Sequence, residues 1–240
     1  MNKFFWMLHA LQNHYKLGIQ QDDLLVFVDA LDMVAQSHFR SLRGKFLKIT
    51  SNRRGVVFAA ERFCAPAGRP EQCEHFEAVA RNRTVYKYLN SGGFVGDVLT
   101  LKKLFFERMH EDLSMITTRD DQAFYQKLFL DHHEELNLFL DYEASIFLCM
   151  TRLARGDLDR VKYMAGCHED YIDPVTRLPP VNRQTNQTAI FLHFNGHGKY
   201  FLSCIATIRR SLVPGSHKQS NFTFIDVDRN RIIRLADYCP

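Results

Sequence analysis

The sequence lacks the short motifs that identify many enzyme classes. No GxSxG, P-loop or GxGxxG pattern occurs, so the chain carries no motif of a serine hydrolase, a P-loop NTPase or a dinucleotide-binding enzyme. None of the six cysteines belongs to a CxxC pair, which argues against a structural zinc site. The run His132-His133-Glu134-Glu135 lacks the HExxH spacing of zinc proteases. His168-Glu169-Asp170 contains an HxD, as in iron oxygenases, but no predicted strand precedes it, and we interpret it as a surface segment.

Long apolar runs and concentrated positive charge are also missing. No segment has the length of apolar run that spans a bilayer, and the N-terminus is predicted to form an amphipathic helix, not a signal peptide. The formal charge is only +4 and the basic residues are scattered, which disfavours a nucleic-acid partner. Three Asn-x-Thr sequons would permit glycosylation in a secretory lumen but also occur by chance, at Asn82, Asn186 and Asn221.

The composition is that of an ordinary soluble globular protein, with 46% hydrophobic and 24% charged residues in 240. Such a chain can form one substantial core. Apolar runs alternate with helical patterns, which predicts an α/β sheet. Predicted strands lie at 24–28, 56–60, 88–97 (broken by Ser91-Gly92-Gly93), 138–140, 146–148 and 188–192. Predicted helices lie at 3–16, 99–109, 199–212 and after Asp120-Asp121, and a long surface loop is expected at 64–83.

Polar residues follow three of the predicted strands. They are Asp29 and Asp32, the run Asn90-Ser91-Gly92-Gly93, and the run that starts at His193. Ligands of open α/β sheets bind outside the carboxyl ends of strands, so we expect these groups to meet. A lone DxxD is more often a turn former or helix N-cap, whereas two converging carboxylates can hold Mg²⁺ or Mn²⁺.

The segment after the last predicted strand adds groups suited to an anion. His193 alone is usually just a hydrogen-bonded residue, but manganese accepts one imidazole beside carboxylates. Gly196 and Gly198 let the backbone approach a ligand, and Lys199 supplies a point charge at the start of a predicted helix. These residues favour a metal-diphosphate site. Asp120-Asp121 either complement a helix dipole or contact sugar hydroxyls and the acceptor.

Six segments in order carry a resemblance to a known family. FVDALD, VVFAAERFCAP, YLNSGGFVG, DDQAFYQKLFLD, LDYEASIF and LHFNGHGK follow the order and approximate spacing of the glycosyltransferase domain of procollagen lysyl hydroxylases and the related collagen hydroxylysine galactosyl- and glucosyltransferases. The resemblance covers roughly residues 3–200. It implies a GT-A fold, a Rossmann-like mixed sheet flanked by helices, which binds a UDP-sugar through Mn²⁺ and transfers glucose or galactose to an acceptor hydroxyl.

The resemblance also implies a role for each matched residue. The implied metal ligands are Asp29, Asp32 and His193. Asn90, Ser91, Gly92 and Gly93 match the loop at the donor sugar, and Asn195, Gly196 and Lys199 match the loop that closes on the diphosphate. Asp120 and Asp121 match the acidic run that lines the sugar and acceptor pocket, with Asp121 as the candidate base. The implied partners are the nucleotide-sugar donor and a protein or glycan acceptor, and the implied compartment is the endoplasmic reticulum, with a cytoplasmic location left open.

The chain also departs from the family pattern. An aromatic residue usually follows the cysteine of the FC segment, where this chain has Ala65, and the acidic run before Gln122 is short. In a GT-A fold the strand and loop that hold uridine precede the metal motif by many tens of residues, yet only 28 residues precede Asp29. We therefore expect an N-terminally incomplete GT-A domain over residues 1–212 with a C-terminal extension over 213–240. The alternatives are a catalytically inactive binding or scaffolding relative, and a metal-dependent nucleotide-sugar or phosphate protein of another α/β family.

Overall fold

The structure is a computed structural model that describes residues 3–29, 32–37, 39–64, 70–81, 84–108, 121–151, 181–182, 184–196, 223–226 and 231–234. The helices are α1 Lys3–Gln12, α2 Leu42–Ile49, α3 Pro70–Ala80, α4 Val98–Lys102 and α5 Asp121–His132. The strands are β1 Leu24–Val28, β2 Met33–Ala35, β3 Val56–Glu61, β4 Tyr88–Asp97, β5 Leu138–Leu140, β6 Phe147–Cys149, β7 Phe191–His193, β8 Thr223–Asp226 and β9 Arg231–Arg234. Short 3₁₀ helices lie at His14–Leu17 and Phe39–Ser41, and a π-helical stretch, Lys103–Arg108, follows α4.

Two small mixed sheets carry the fold. The first has the strand order β1-β4-β3-β5, in which β4 runs antiparallel to both neighbours and β5 runs parallel to β3. The second has the order β2-β7-β6, with β7 antiparallel to β2 and parallel to β6. Strands β8 and β9 form a separate antiparallel pair. The mixed sheets and their flanking helices confirm the predicted α/β fold class of GT-A type.

Strand β3 is the buried centre of the first sheet, as its unbroken apolar run predicts. All six of its residues are buried. Alternate side chains enter two different hydrophobic clusters, with Val56, Phe58 and Ala60 on one face and Val57 and Ala59 on the other. A strand without polar alternation therefore lies here between two packed layers, and its only charged residue is the last one.

The segment with two consecutive glycines was predicted to break a strand, and this prediction is wrong. Strand β4 runs unbroken over ten residues. Its irregularity is instead a change of register, because Phe58 pairs with Phe94 whereas Ala59 pairs with Asn90. Residues 91–93 are thereby left without partners on β3, which is a bulge at the centre of a sheet.

The predicted long loop over 64–83 is also wrong in part. Helix α3 occupies 11 of these residues and begins at a proline, a residue favoured in the first helical turn because its missing N–H is not needed there. Phe76 and Ala80 of α3 are fully buried. The helical pattern predicted at 99–109 corresponds to α4 and the π-helical stretch, and the strand predicted at 146–148 lies one residue later. The helix predicted at 199–212 falls outside the described residues.

A disulfide joins Cys64, just after β3, to Cys73 in α3, with the two Cα atoms 5.8 Å apart. Cross-linking a loop of this size reduces the conformational entropy of the unfolded chain, and we expect Cys73→Ser to lower the free energy of unfolding by about 2–3 kcal/mol. Chemical denaturation of the variant under non-reducing conditions measures the loss. Reduction of the wild type should give the same loss, whereas an unchanged midpoint in both experiments would contradict the prediction.

Asp141 organises the turn that leads into β6. Its carboxylate is fully buried and accepts the backbone N–H groups of Ser145, Ile146 and Phe147 at 2.6–2.9 Å. Burial raises the pKa of this carboxyl, and these hydrogen bonds oppose that rise. The contacts fix where β6 begins, and β6 in turn pairs with β7, which carries a candidate metal ligand.

Candidate metal and sugar-diphosphate site

Asp29, Asp32 and His193 meet at one point, although 160 residues separate the second from the third in sequence. One ligand atom from each lies within 4.8 Å of the others. The Nε2 atom of His193 lies 3.5 Å from Oδ1 of Asp32. Asp32 and His193 are buried, whereas Asp29 is half-buried, so the cluster is open to solvent on the Asp29 side.

Backbone pairing holds each of the three residues in place. Asp29 directly follows β1, and its N–H donates to the carbonyl of Gly92 at 2.8 Å. Asp32 directly precedes β2, whose first residue pairs with His193 at the end of β7. The carbonyl of Asp32 also accepts the N–H of Phe194 at 2.7 Å. The three side chains therefore depend on the contact between β1 and β4 and on the contact between β2 and β7.

Gly92 is the residue that lets the two sheets approach each other at this point. A Cβ atom on Gly92 would lie 2.2 Å from Cε1 of His193 and 2.9 Å from Oδ2 of Asp29. The neighbouring Gly93 is equally close to the core, since its Cβ would lie 2.6 Å from Cε of Met33. The double glycine, placed in the bulge of β4, thus makes room for the carboxylate and imidazole groups.

The donor set fits a divalent cation of the Mg²⁺ or Mn²⁺ type. Two carboxylates suit a hard cation, and the single imidazole shifts the preference towards a borderline metal such as Mn²⁺. The other ring nitrogen of His193, Nδ1, faces Sγ of Cys149 at 3.8 Å. Burial raises the pKa of the Cys149 thiol well above its usual range, so this sulfur stays protonated beside the ring. The contact with Cys149 leaves Nε2 as the nitrogen that faces the Asp32 carboxylate.

Glu61 connects the polar groups beside this cluster, and the sequence reasoning did not single it out. The side chain is buried, and its Oε1 accepts the side-chain amides of Asn90 at 3.0 Å and Gln122 at 3.1 Å. Its Oε2 accepts the amide of Asn195 at 2.7 Å. Burial raises the pKa of Glu61, while the hydrogen bonds and nearby His193 oppose the rise. The available signal was its place as the single charge in a buried apolar strand, since such a charge needs several partners.

The segment after β7 is held by hydrogen bonds to Glu61 and to Thr151. Asn195 donates to Glu61, and its Oδ1 accepts the N–H of Thr151 at 3.2 Å. The hydroxyl of Thr151 donates to the carbonyl of Asn195. Gly196 has φ +52°, and a Cβ there would lie 2.8 Å from Oγ1 of Thr151. The turn therefore requires glycine for both its conformation and its space.

The structure places most of the remaining predicted site residues near this cluster. Ser91 donates its N–H to Oε1 of Gln122 at 3.4 Å, which ties β4 to the first turn of α5. Asp121 is the first residue of α5 and is half-buried next to that contact. Asp120 and Lys199 lie outside the described residues. The predicted geometry differs for residues 90–93. These residues lie inside the antiparallel strand β4 and not at the carboxyl end of a strand.

The family model and the curated relatives that match this chain agree on one family. The family described as "PLOD GT domain" matches residues 2–210. The multifunctional procollagen lysine hydroxylase and glycosyltransferase LH3 of Rattus norvegicus is 34% identical over 162 residues, which cover 66% of this chain and 19% of that protein. The Homo sapiens protein of the same name is 33% identical over 162 residues, with the same coverage. Procollagen-lysine,2-oxoglutarate 5-dioxygenase 1 of Rattus norvegicus is 35% identical over 134 residues, 55% of this chain and 17% of that protein. The chain thus spans about a fifth of the length of the curated relatives it matches.

Proposed function

Because the chain belongs to the family of the PLOD glycosyltransferase domain, we propose that it transfers a hexose from a UDP-sugar to an acceptor hydroxyl with the help of Mn²⁺. The donor is UDP-glucose or UDP-galactose. The acceptor is hydroxylysine or galactosyl-hydroxylysine of a collagen-like protein. The observation that carries the proposal is the convergence of Asp29, Asp32 and His193 on one point beside a glycine-lined strand.

The three side chains would hold the cation through one atom each. A divalent cation bound there supplies positive charge for the diphosphate and stabilises the charge that develops on the UDP leaving group. The protein's own contribution is to fix the ligands before the donor arrives. Backbone pairing of β1 with β4 and of β2 with β7 does this, so little reorganisation is required when the donor binds.

Asn90 and Asn195 act in this proposal as positioning residues. Both side-chain amides are already engaged by Glu61, on opposite oxygens of its carboxylate. The oxygen of Asn90 also accepts the N–H of Gly92 at 3.0 Å, which links Glu61 to the glycine that faces the metal ligands. The network holds the donor-sugar segment of β4 and the segment after His193 at a fixed separation. Gly196 leaves the backbone accessible where the diphosphate is expected.

Asp121 is the proposed base or acceptor-positioning group. It begins α5, and its neighbour Gln122 is tied to both Ser91 and Glu61. A carboxylate held at this place can orient an acceptor hydroxyl and accept its proton as the glycosidic bond forms. Asp120, which lies outside the described residues, is proposed to take part in the same sugar and acceptor contacts.

The proposed partners and compartment follow from the same function. A nucleotide-sugar donor and a protein or glycan acceptor are required, and among the described residues no helix is long and apolar enough to cross a bilayer. The disulfide between Cys64 and Cys73 supports an oxidising compartment such as the lumen of the endoplasmic reticulum.

Direct titration with Mn²⁺ tests the metal site independently of turnover. We expect Asp32→Asn to weaken Mn²⁺ binding about tenfold or more, because it removes the charge of one of the three candidate ligands found among the described residues. Electron paramagnetic resonance of free Mn²⁺ measures the affinity. The exposed Asp22, seven residues before Asp29, provides the matched control Asp22→Asn, which should bind as the wild type does. Equal affinities for all three proteins would contradict the assignment.

A further inference from the structure

A short hairpin before β7 carries one of the three sequons. Asn182 and Gln187 form an antiparallel bridge in which the N–H of Asn182 donates to the carbonyl of Gln187 at 2.8 Å. The side-chain oxygen of Asn182 also accepts the N–H of Gln184 at 3.0 Å. The hairpin is fixed to the core, since the buried amide of Asn182 donates to the hydroxyl of buried Tyr86 at 2.9 Å.

Asn186 lies in the turn of this hairpin, directly before the bridge residue Gln187. The residue is exposed and has φ +54°, a left-handed conformation that asparagine tolerates better than most residues. Gln187 and Thr188 complete the Asn-x-Thr triplet. The carbonyl of Thr188 accepts Nζ of Lys45 at 2.8 Å, so the chain is bound to the body of the protein directly after the exposed turn.

The compartment needed for glycosylation is indicated by an independent observation. Disulfides such as that between Cys64 and Cys73 form and persist in oxidising compartments, and the oligosaccharide transferases that recognise Asn-x-Thr act in such a compartment. The sequon therefore combines three properties: its motif is complete, its asparagine is exposed, and the fold contains a bond that forms where the modification occurs.

We propose that Asn186 is an N-glycosylation site. Nδ2 of Asn186 forms the bond to the anomeric carbon of an oligosaccharide carried on a lipid pyrophosphate. The bond from that carbon to the pyrophosphate oxygen breaks, the lipid pyrophosphate leaves with the bonding electrons, and the amide gives up one proton. Transfer takes place before the hairpin closes, and the folded structure then leaves the modified side chain in solvent.

Asn186 has no part in the proposed metal site. The glycan would be attached in the turn before β7, whereas the proposed metal ligand His193 is the last residue of that strand. Removal of the glycan is expected to leave Mn²⁺ affinity unchanged, so the proposal can fail without affecting the proposed function.

The test is to pass the full chain through the secretory pathway of cultured animal cells and analyse the product with and without peptide N-glycosidase F. On gel electrophoresis, the glycosidase should increase the mobility of the wild type by one step for each N-glycan. We expect Asn186→Gln to remove one of these glycosidase-sensitive mobility steps. Because glutamine is strained at a positive φ, Thr188→Ala is a second variant that destroys the sequon and keeps Asn186. The matched control is Asn52→Gln, which changes an exposed asparagine with φ +61° that belongs to no sequon, and which should keep the step.

Mass spectrometry of the peptide that contains residue 186 identifies the site itself. Conversion of Asn186 to aspartate by the glycosidase in the wild type, but not in Thr188→Ala, supports the proposal. An unmodified Asn186 in the secreted chain, or an unchanged mobility step in both sequon variants, overturns it. Glycans at Asn82 or Asn221 do not alter either outcome, because the step at residue 186 is counted separately.

Discussion

Gly92→Ala is expected to reduce metal-dependent turnover about 100-fold, because a displacement of the ligands by about 1 Å has an effect of this size. The new methyl group would lie 2.2 Å from Cε1 of His193, 2.7 Å from its Nε2 and 2.9 Å from Oδ2 of Asp29. Separations under 3.0 Å force the imidazole or the carboxylate to move. Both groups are proposed metal ligands, so the substitution separates the ligands without changing any of them chemically.

Mn²⁺ affinity and turnover measured on the same preparation test this prediction. The control is Gly44→Ala in α2, where a Cβ would meet nothing within 4 Å, and it should leave both quantities unchanged. Overpacking at residue 92 is expected to lower the free energy of unfolding by only about 1–3 kcal/mol, so the variant should still fold. A folded Gly92→Ala protein that binds Mn²⁺ as the wild type does would show that the ligands do not converge beside this glycine.

Substitution of Glu61 is expected to lower both the free energy of unfolding and the turnover. Glu61→Ala leaves the amides of Asn90, Gln122 and Asn195 without their shared acceptor, and we expect a loss of about 3 kcal/mol in the free energy of unfolding together with loss of turnover. Glu61→Gln keeps the size of the side chain but has only one acceptor oxygen. Its NH₂ group would face the amide of Asn195, and we expect roughly tenfold lower turnover, about 1.4 kcal/mol in the barrier, with a smaller effect on stability.

Glu143→Gln is the matched control for these variants. Glu143 forms an exposed ion pair with Lys48, and such pairs contribute little to stability. Thermal unfolding and turnover of the three variants should therefore separate the buried glutamate from the exposed one. Wild-type turnover in Glu61→Gln would mean that the carboxylate network does not position the site.

The pH dependence of turnover should report the protonation of Glu61. Burial raises the pKa of this carboxyl, and protonation turns one of its acceptor oxygens into a donor that conflicts with the amide groups around it. Activity should therefore decline, as pH falls, at a higher pH than an ordinary glutamate would cause. Stability changes in the opposite sense: a raised pKa in the folded state favours folding at low pH, and this contribution is lost as pH rises through that pKa. A pH–rate profile of Glu61→Gln should lack this acidic decline.

The sequence was sufficient to predict strands that are buried on both faces, because such strands are runs of apolar residues. Strand β3 carries an unbroken apolar run, and it is buried on both faces. Asp29, Asp32 and His193 were also predicted together, because carboxylates and an imidazole at strand ends are recognisable ligand types, and the structure brings them within 4.8 Å. Their roles as metal ligands stay a prediction until metal binding is measured.

The remaining features depend on tertiary pairing that no local pattern encodes. The double glycine at 92–93 indicates a broken strand in isolation, yet pairing with β1 on one side keeps β4 continuous and moves the irregularity to its register with β3. Glu61 is an ordinary strand end in the sequence. Its importance arises only when Asn90, Gln122 and Asn195 converge on it from three other segments. Helix α3 was missed because the prolines and charges of residues 64–83 resemble a loop, while the contact of α3 with the core depends on Phe76.

The most direct test of the central claim is UDP release from UDP-glucose and UDP-galactose, measured with and without Mn²⁺ for the wild type and for Asp29→Ala. A functional glycosyltransferase site predicts that the wild type releases UDP from one of the donors only when Mn²⁺ is present, and that Asp29→Ala does not. Release that is independent of metal, or equal in the two proteins, would contradict the account. Binding of donor and metal without any release would instead favour an inactive relative that retains the fold as a binding module.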